Sequence, residues 1–224
     1  MRLSLDRLLE TLGYHFRDQS LLEAALTHRS LGRNNNERLE FLGDAVLGLC
    51  VSELLYRAFP QVEEGDLSRL RASLVNQETL AEIAAEMDLG TYLRLGGGEL
   101  KSGGFRRASI LSDGLEAILG AVYLDGGFSP ARDLIRQLYQ ERVRRLPPPE
   151  QLKDPKTRLQ ECLQGRGLSL PVYAVESISG KEHAQVFEVS CVVPDTNFQS
   201  RGRGGSRRKA EQAAAAALLE KVNE

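Results

Sequence analysis

Cysteine is scarce in this chain. Its three cysteines, Cys50, Cys162 and Cys191, are too few and too scattered for a disulfide framework, and none sits in a CxxC pair of the kind that holds zinc. They read as small buried apolar residues. Long apolar runs are missing too, and no stretch approaches the ~20 residues of a membrane-spanning helix. The opening MRLSLDRLLETLGYHF is amphipathic rather than a secretory signal, so a cytosolic protein with no membrane contact is expected. Neither charge is in excess: 29 Lys and Arg stand against 31 Asp and Glu.

What is present fits an ordinary globular protein, with 42% hydrophobic and 27% charged residues in 224. That length supports one large domain or two modest ones, each with its own core. The balanced total hides an asymmetry. Residues 1–150 hold 18 basic and 22 acidic side chains, whereas residues 151–224 hold 11 and 9. Five of the later basic residues, Arg201, Arg203, Arg207, Arg208 and Lys209, fall within nine positions. A polyanion is a candidate partner, engaged through that local patch.

The clearest boundary is RRLPPPEQLKDP, where Pro147, Pro148 and Pro149 cannot continue a helix and favour an extended spacer. The pattern before it is helical, with no internal repeat. Ser20-Leu-Leu-Glu23 has the form of a capping box, and Asn76-Gln-Glu-Thr opens a second helix that Gly90 is placed to stop. Ser129-Pro130 reads as an N-cap followed by proline at the first helical position, starting a helix that ends near Arg145. The glycine-rich GGGELKSGGF reads as a loop. After the hinge the period changes to two. Phe187, Val189, Cys191 and Val193 alternate with Glu188, Ser190 and Val192 as a half-buried strand does, with flanking strands over 171–178 and 197–203. A short helix around Leu159 and Leu163 precedes them, and an alanine-rich helix over 207–222 follows. The fold expected is therefore multidomain: an all-α domain over 1–146, a proline-containing linker over 147–153, and a small α+β domain of order α-β-β-β-α over 154–224.

Carboxylates stand out against these apolar helices. In NNNERLEFLGDAVLGL, Glu37, Glu40 and Asp44 fall on one narrow helical face, at about 100° per residue, among Leu39, Phe41, Leu42, Val46 and Leu47. In SILSDGLEAILGAVYLDGG, Asp113 and Glu116 share another face. Like charges in apolar surroundings repel and lose hydration, which costs roughly several kcal/mol per ion unless a cation neutralises them. One reading is salt bridges to Arg29, Arg33, Arg38, Arg69 or Arg71, or plain solvation. The other is a divalent metal: carboxylates from two packed helices can hold one or two magnesium ions, with Gly43, Gly48, Gly114 and Gly120 allowing close approach. Five such acids on two apolar helices favour the metal.

The stretch NERLEFLGDAVL, residues 36–47, resembles the signature of the ribonuclease III family along its whole length. EEGDLSRLRASLV, GELKSGG and SILSDGLEAILGAVYLDGG resemble that family's other helices, and residues 154–222 resemble a double-stranded-RNA-binding domain. The resemblance implies a ribonuclease III endonuclease domain followed by that binding domain. Carried over residue by residue, it makes Glu40, Asp44, Asp113 and Glu116 the magnesium ligands, with Asp44 and Glu116 most critical for catalysis. Manganese would substitute, and no organic cofactor is implied. Glu37 and Glu64 match acids lining the same cleft, and Phe41 matches an aromatic that packs into a partner subunit at the dimer interface, its alternative role being ordinary core. Gly114 departs from the family's commoner Ala or Thr and should loosen the helix slightly. In the second domain, Thr157, Gln160 and Glu161 on the first helix, His183 in GKEHAQ, and Arg207, Arg208 and Lys209 match RNA-binding positions. The last three occupy a helix's first turn, where free N–H groups and the dipole favour phosphate.

The activity implied is hydrolysis of double-stranded RNA to 5′-phosphate and 3′-hydroxyl ends with short 3′ overhangs. A homodimer would place two sites about a two-fold axis that suits an antiparallel duplex. The family's usual work is processing of ribosomal RNA precursors and of some messenger and transfer RNAs, in the cytoplasm. His15 and His28 read as structural. Two other readings stay open: a binding relative that no longer cleaves, and an unrelated metal-dependent hydrolase, which would leave the basic helix unexplained.

Overall fold

A computed structural model describes residues 5–147, 153–180 and 185–223 of the chain, which divides into two units, Met1–Pro147 and Pro148–Glu224. Helices α1 (Leu5–Leu12), α2 (Gln19–Ala25), α3 (Glu37–Ala58), α4 (Glu64–Leu74), α5 (Gln77–Glu86), α6 (Gly97–Lys101), α7 (Ala108–Gly126) and α8 (Phe128–Arg144) make up the first unit, with no strand among its described residues. The sequence of α7 is apolar on nearly every side, and a helix of that kind has to be surrounded. It is buried almost throughout, from Ile110 to Val122, with α2, α3, α5 and α8 packed around it. Leu115, Ile118 and Leu119 lose all exposure, each contributing roughly 1.5–3 kcal/mol by burial.

The α3–α7 crossing is a backbone contact. A Cβ on Gly43 would sit 1.8 Å from the carbonyl oxygen of Glu116, and one on Gly120 2.2 Å from that of Leu39. Glycine is required at both positions. The other two glycines named from sequence play no part there: Gly48 faces nothing within 4 Å, and a Cβ on Gly114 would meet the Leu93 side chain at 3.0 Å. The unusual glycine at 114 thus seats α7 on Leu93.

Several helix ends differ from the sequence reading. The cap of α2 is Asp18, whose Oδ1 accepts from the N–H and hydroxyl of Ser20 at 2.9 and 2.6 Å, so Ser20 donates to the cap and is not one itself. Asn76 does cap α5, accepting from Thr79 N–H at 2.9 Å, but the helix ends at Glu86, before Asp88 turns left-handed, and Gly90 lies in the short helical turn that follows. Helix α8 begins two residues ahead of Pro130, after Gly127 with φ of 83°. The glycine-rich segment holds α6 and a turn at Gly104–Arg106, because Glu99 pairs with Arg107 at 2.9 Å and a Cβ on Gly104 would meet the Glu99 carbonyl.

The second unit runs α9 (Pro155–Gly165), β1 (Val172–Ser179), β2 (Val186–Val192), β3 (Gln199–Gly204) and α10 (Arg207–Asn223). Its sheet is antiparallel with β2 in the middle, and β1 carries a bulge between Val175 and Ser177. Leu159 and Leu163 of α9, Cys191 and Val193 from the β2 side, and Ala214, Ala215 and Leu218 of α10 form its core. Alanine on α10 and glycine on β3 belong together. A Cβ on Gly202 would lie 2.1 Å from Ala214 N, so this helix and strand touch through their smallest residues. The α9 N-terminus is capped by Asp154, which accepts from Lys156 and Thr157 N–H groups, and Gln212 of α10 donates to the same carboxylate at 2.9 Å.

Candidate active site

Crossing α3 over α7 at Gly43 and Gly120 brings half-buried carboxylates from both helices together. Oxygen atoms of Glu40, Asp113 and Glu116 lie within 4.8 Å of one another, a spacing that can hold a metal ion. The charge is unbalanced. Burial, then the charges of Asp44, Glu40 and Asp113, push the Glu116 carboxyl up to about 8. Burial also raises Glu40, helped by Asp113 and Glu37, and raises Asp113 against the opposing hydrogen bond from Ser112. Asp113 raises both Glu40 and Glu116, and Glu40 raises Glu116, so the three form a donor set of the kind a hard divalent ion satisfies.

The other acidic positions named from sequence fall differently. Asp44 is exposed and outside the three-residue set, yet its charge is the strongest of those acting on Glu116, so it stands at the edge of the cluster. Glu37 turns outward to Arg29, 3.6 Å away, and to the Asn35 side-chain amide at 3.1 Å. Glu64 does not reach the cluster within this chain. It accepts from the Ser68 hydroxyl at 2.7 Å and lines a recess with Leu49, Ser52, Tyr56 and Arg71. Phe41 is no part of the core: it is 81% exposed, on a helix that also presents Leu49 and Tyr56 to solvent.

Of the five arginines that offered a salt-bridge reading, one faces the cluster. Arg29 holds down both Glu40 and Asp113 besides pairing with Glu37. Arg69 pairs with Asp66, and Arg71 donates to Ser52 Oγ at 3.1 Å. Arg33 and Arg38 line an open groove beside Phe41. Two neighbours of the site are not assigned to it from sequence: His28 reads as structural, and Tyr139 is not singled out. His28 is nine-tenths buried and acts on the Asp113 carboxyl, and Tyr139 of α8 is fully buried, its hydroxyl without a hydrogen-bond partner among the described residues and raised by burial and, in part, by the Glu116 charge. No spacing rule links either residue to α7, so nothing short of the fold could have found them.

In the second unit, Arg207, Arg208 and Lys209 lie exposed on the first turn of α10, where Ser206 Oγ accepts from Lys209 N–H at 3.2 Å. They are unequal. Arg207 is paired with Glu211 at 2.9 Å, and Glu211 also holds Lys156 at 2.7 Å, whereas Arg208 and Lys209 have no ion pair among the described residues. Thr157 hydrogen-bonds Asp154 at 2.8 Å, Glu161 pairs with Lys153 at 2.7 Å, and Gln160 is exposed on the same helix. His183 lies outside the described residues, as does most of the proline linker.

A carboxylate cluster on two crossed helices and an α-β-β-β-α unit with a basic helix start give the class its two parts: an acidic site that could hold a metal ion, and a unit suited to a polyanion. Comparison with known proteins narrows that class. Residues 18–143 match the family described as ribonuclease-III-like, and residues 155–222 match the double-stranded RNA binding motif. The chain is 54% identical over 218 residues to Ribonuclease 3 of Vibrio cholerae, covering 97% of each, and 57% identical over 219 residues to that of Pseudomonas fluorescens, covering 98% and 96%. The nuclease domain of the Campylobacter jejuni ribonuclease III superposes with a TM-score of 0.60 at 47% identity, covering 62% of this chain and 97% of that one. The chain belongs to the ribonuclease III family, an enzyme with a nuclease domain and a double-stranded-RNA-binding domain. No helix among the described residues is long and apolar enough to cross a membrane.

Proposed function

We propose that this chain is a homodimeric, magnesium-dependent endoribonuclease that hydrolyses double-stranded RNA to 5′-phosphate and 3′-hydroxyl ends with short 3′ overhangs. The nuclease domain spans 1–146, the linker 147–153 and the duplex-binding domain 154–224. The observation that carries this reading is the cluster of Glu40, Asp113 and Glu116 within 4.8 Å, with Glu116 ionising only near 8. Those three and Asp44 would hold the cation, magnesium by its preference for carboxylate oxygen, with manganese as substitute. When bound, the cation supplies Lewis acidity: it makes water acidic enough to attack phosphorus near neutral pH and stabilises charge on the leaving oxygen.

The chain's own groups do the rest. Asp44 and Glu116 are the acids on which catalysis depends most. Glu116 releases its proton to solvent as the cation loads, because the charge that kept it protonated is then neutralised. Glu37 and Arg29 line the mouth. Arg207, Arg208, Lys209, Thr157, Gln160, Glu161 and His183 hold duplex RNA by its phosphates and 2′-hydroxyls, so that A-form shape is read before sequence. Exposed Phe41, with Leu49 and Tyr56 on the same helix, supports a dimer interface, since burying large apolar side chains gains roughly 1.5–3 kcal/mol each. The Campylobacter nuclease domain was described for a region involved in dimer formation. Glu64, lining the recess beside that face, would join a cleft completed across the dimer. Its substrates on this reading are ribosomal RNA precursors and some messenger and transfer RNAs, in the cytoplasm.

The test is cleavage of a labelled RNA duplex by the full chain and by Glu116→Gln, with magnesium and with a chelator, beside a binding assay. The wild type cuts only with magnesium, and Glu116→Gln binds without cutting. A wild type that binds duplex tightly and never cuts with any divalent metal makes this a binding protein instead.

A further inference from the structure

The starts of α9 and α10, where most of the candidate RNA contacts lie, are tied together by two adjacent residues of α10. Glu211 uses both carboxylate oxygens. Oε1 accepts from Arg207 Nε at 2.9 Å, on its own helix, and Oε2 accepts from Lys156 Nζ at 2.7 Å, on α9. Its side chain is only 13% exposed. Lys156 is held a second time, its Nζ lying 4.3 Å from the centre of the Tyr173 ring on β1. Gln212 also uses both ends of its amide: Oε1 accepts from the backbone N–H of Lys156 at 3.1 Å, and Nε2 donates to Asp154 Oδ1 at 2.9 Å. The Asp154 carboxylate in turn fixes Thr157, through its N–H at 3.1 Å and its hydroxyl at 2.8 Å.

Holding α9 to α10 needs only the Lys156 arm of Glu211. The other arm reaches Arg207, whose side chain is 67% exposed, and an exposed ion pair adds little to stability. What that arm does is fix a direction. With Nε turned to Glu211, the two terminal nitrogens of Arg207 have no partner among the described residues, and they keep the forked donor geometry that matches a phosphate.

We propose that Glu211 and Gln212 are positioning residues that set the selectivity of the second unit for A-form over B-form duplex, by locking the first turn of α9 and Arg207 of α10 at one separation. The inference rests on the duplex-binding reading above. A-form RNA has a deep, narrow major groove and a shallow minor groove, whereas the major groove of B-form DNA is wide. Two contact points at a fixed separation match the phosphates of one form. Points free to move would accommodate both, and sequence-independent attraction to phosphate would then dominate. A carboxylate among Lys156, Arg207, Arg208 and Lys209 lowers affinity for any polyanion, so its place there is explained by the direction it gives Arg207 and not by its charge.

The experiment measures binding of the full chain, in chelator so that nothing is cut, to a labelled RNA duplex and to a DNA duplex of the same sequence across a range of salt. The variants are Glu211→Gln, Gln212→Ala and Arg207→Lys, and thermal unfolding checks each fold. In Glu211→Gln the ratio of RNA to DNA affinity should fall roughly tenfold, the worth of one charge-assisted hydrogen bond. Its binding to DNA should tighten, and its slope of log affinity against log salt should steepen by about one, because one negative charge has gone. Gln212→Ala should lower the ratio with the slope unchanged, since no charge changes. Arg207→Lys keeps the charge and loses the fork, so it should lower the ratio as well; its position is exposed, and it decides if Glu211→Gln does not fold. Ratios within about twofold of wild type in folded variants overturn the proposal. Equal gains on RNA and DNA in Glu211→Gln, the mark of charge alone, overturn it too, as do ratios that fall only in step with stability. A wild type with no preference for RNA duplex over DNA overturns the duplex-binding reading and this inference together. A wild-type preference that all three variants share overturns this inference alone.

Discussion

Replacing Glu116 with glutamine should make the metal-free protein more stable while destroying its activity. Glu116 ionises near 8 in the folded chain and at 4.5 when unperturbed, so between those values the folded state binds a proton that the unfolded state has lost. Its contribution to stability is complete below about 4.5 and lost as pH rises through about 8. At about 1.4 kcal/mol per pH, carrying the ion above 8 would disfavour folding by up to roughly 5 kcal/mol without screening. The side chain is partly open to solvent, which reduces the figure to about 2 kcal/mol. Glutamine has the same size and no charge to desolvate. Thermal unfolding of the full chain in chelator should place the nuclease transition of Glu116→Gln about 4–8 °C above wild type at pH 9, with the gap closing towards pH 4.5. Magnesium should narrow or reverse the order, because wild type gains binding energy that the variant forfeits. Equal melting points at pH 9, or a gap independent of pH, would refute the claim that Glu116 sits among unneutralised charges.

Gly43→Ala drives a Cβ into the Glu116 carbonyl, so helices α3 and α7 must separate; denaturant unfolding should show a loss of at least about 3 kcal/mol, and manganese affinity should fall with it. Arg208→Ala and Lys209→Ala should each weaken duplex binding at all sequences and lower the slope of log affinity against log salt by about one, with a smaller effect for Arg207→Ala, already paired to Glu211; equal slopes for all three would contradict that ranking. Phe41→Glu should shift the sedimenting species from dimer to monomer and abolish cleavage, without lowering the melting point of the isolated fold; an unchanged dimer would move the interface elsewhere. Asp125 accepts from Tyr14 hydroxyl and from the N–H groups of Arg17 and Asp18 at 2.6–2.9 Å, so Asp125→Ala should cost about 2–4 kcal/mol in urea unfolding and spare metal affinity.

Much of this molecule is legible in its sequence, for local reasons. The change from a 3.6-residue to a two-residue period at the proline run marks two units, and Asn76 caps its helix because its short side chain reaches Thr79 N–H. Where several local solutions compete, the reading slips. Asp18 and Ser20 both suit an N-cap, and Asp18 takes the role because its carboxylate accepts from both Ser20 groups, while Asp125 anchors the preceding backbone. The segment after Gly96 reads as a loop by composition, but the Glu99–Arg107 pair supports a turn of helix there.

Residue type and helical spacing are enough to mark the candidates for the chemistry: acids on two apolar helices, glycines that let such helices approach, and a basic cluster at the start of an alanine-rich helix. Each depends on residue type and helical spacing, which are properties of the chain. Only the packing of the helices sets how these candidates are arranged. It placed Glu40 with Asp113 and Glu116, left Asp44 at the edge and Glu64 apart, chose Arg29 from five arginines, and turned Phe41 to solvent. It also brought His28 within electrostatic reach of Asp113, across 85 residues of sequence. These outcomes depend on the crossing of α3 and α7, and that crossing is fixed by two backbones in contact at Gly43 and Gly120, a distance that no periodicity within either helix encodes.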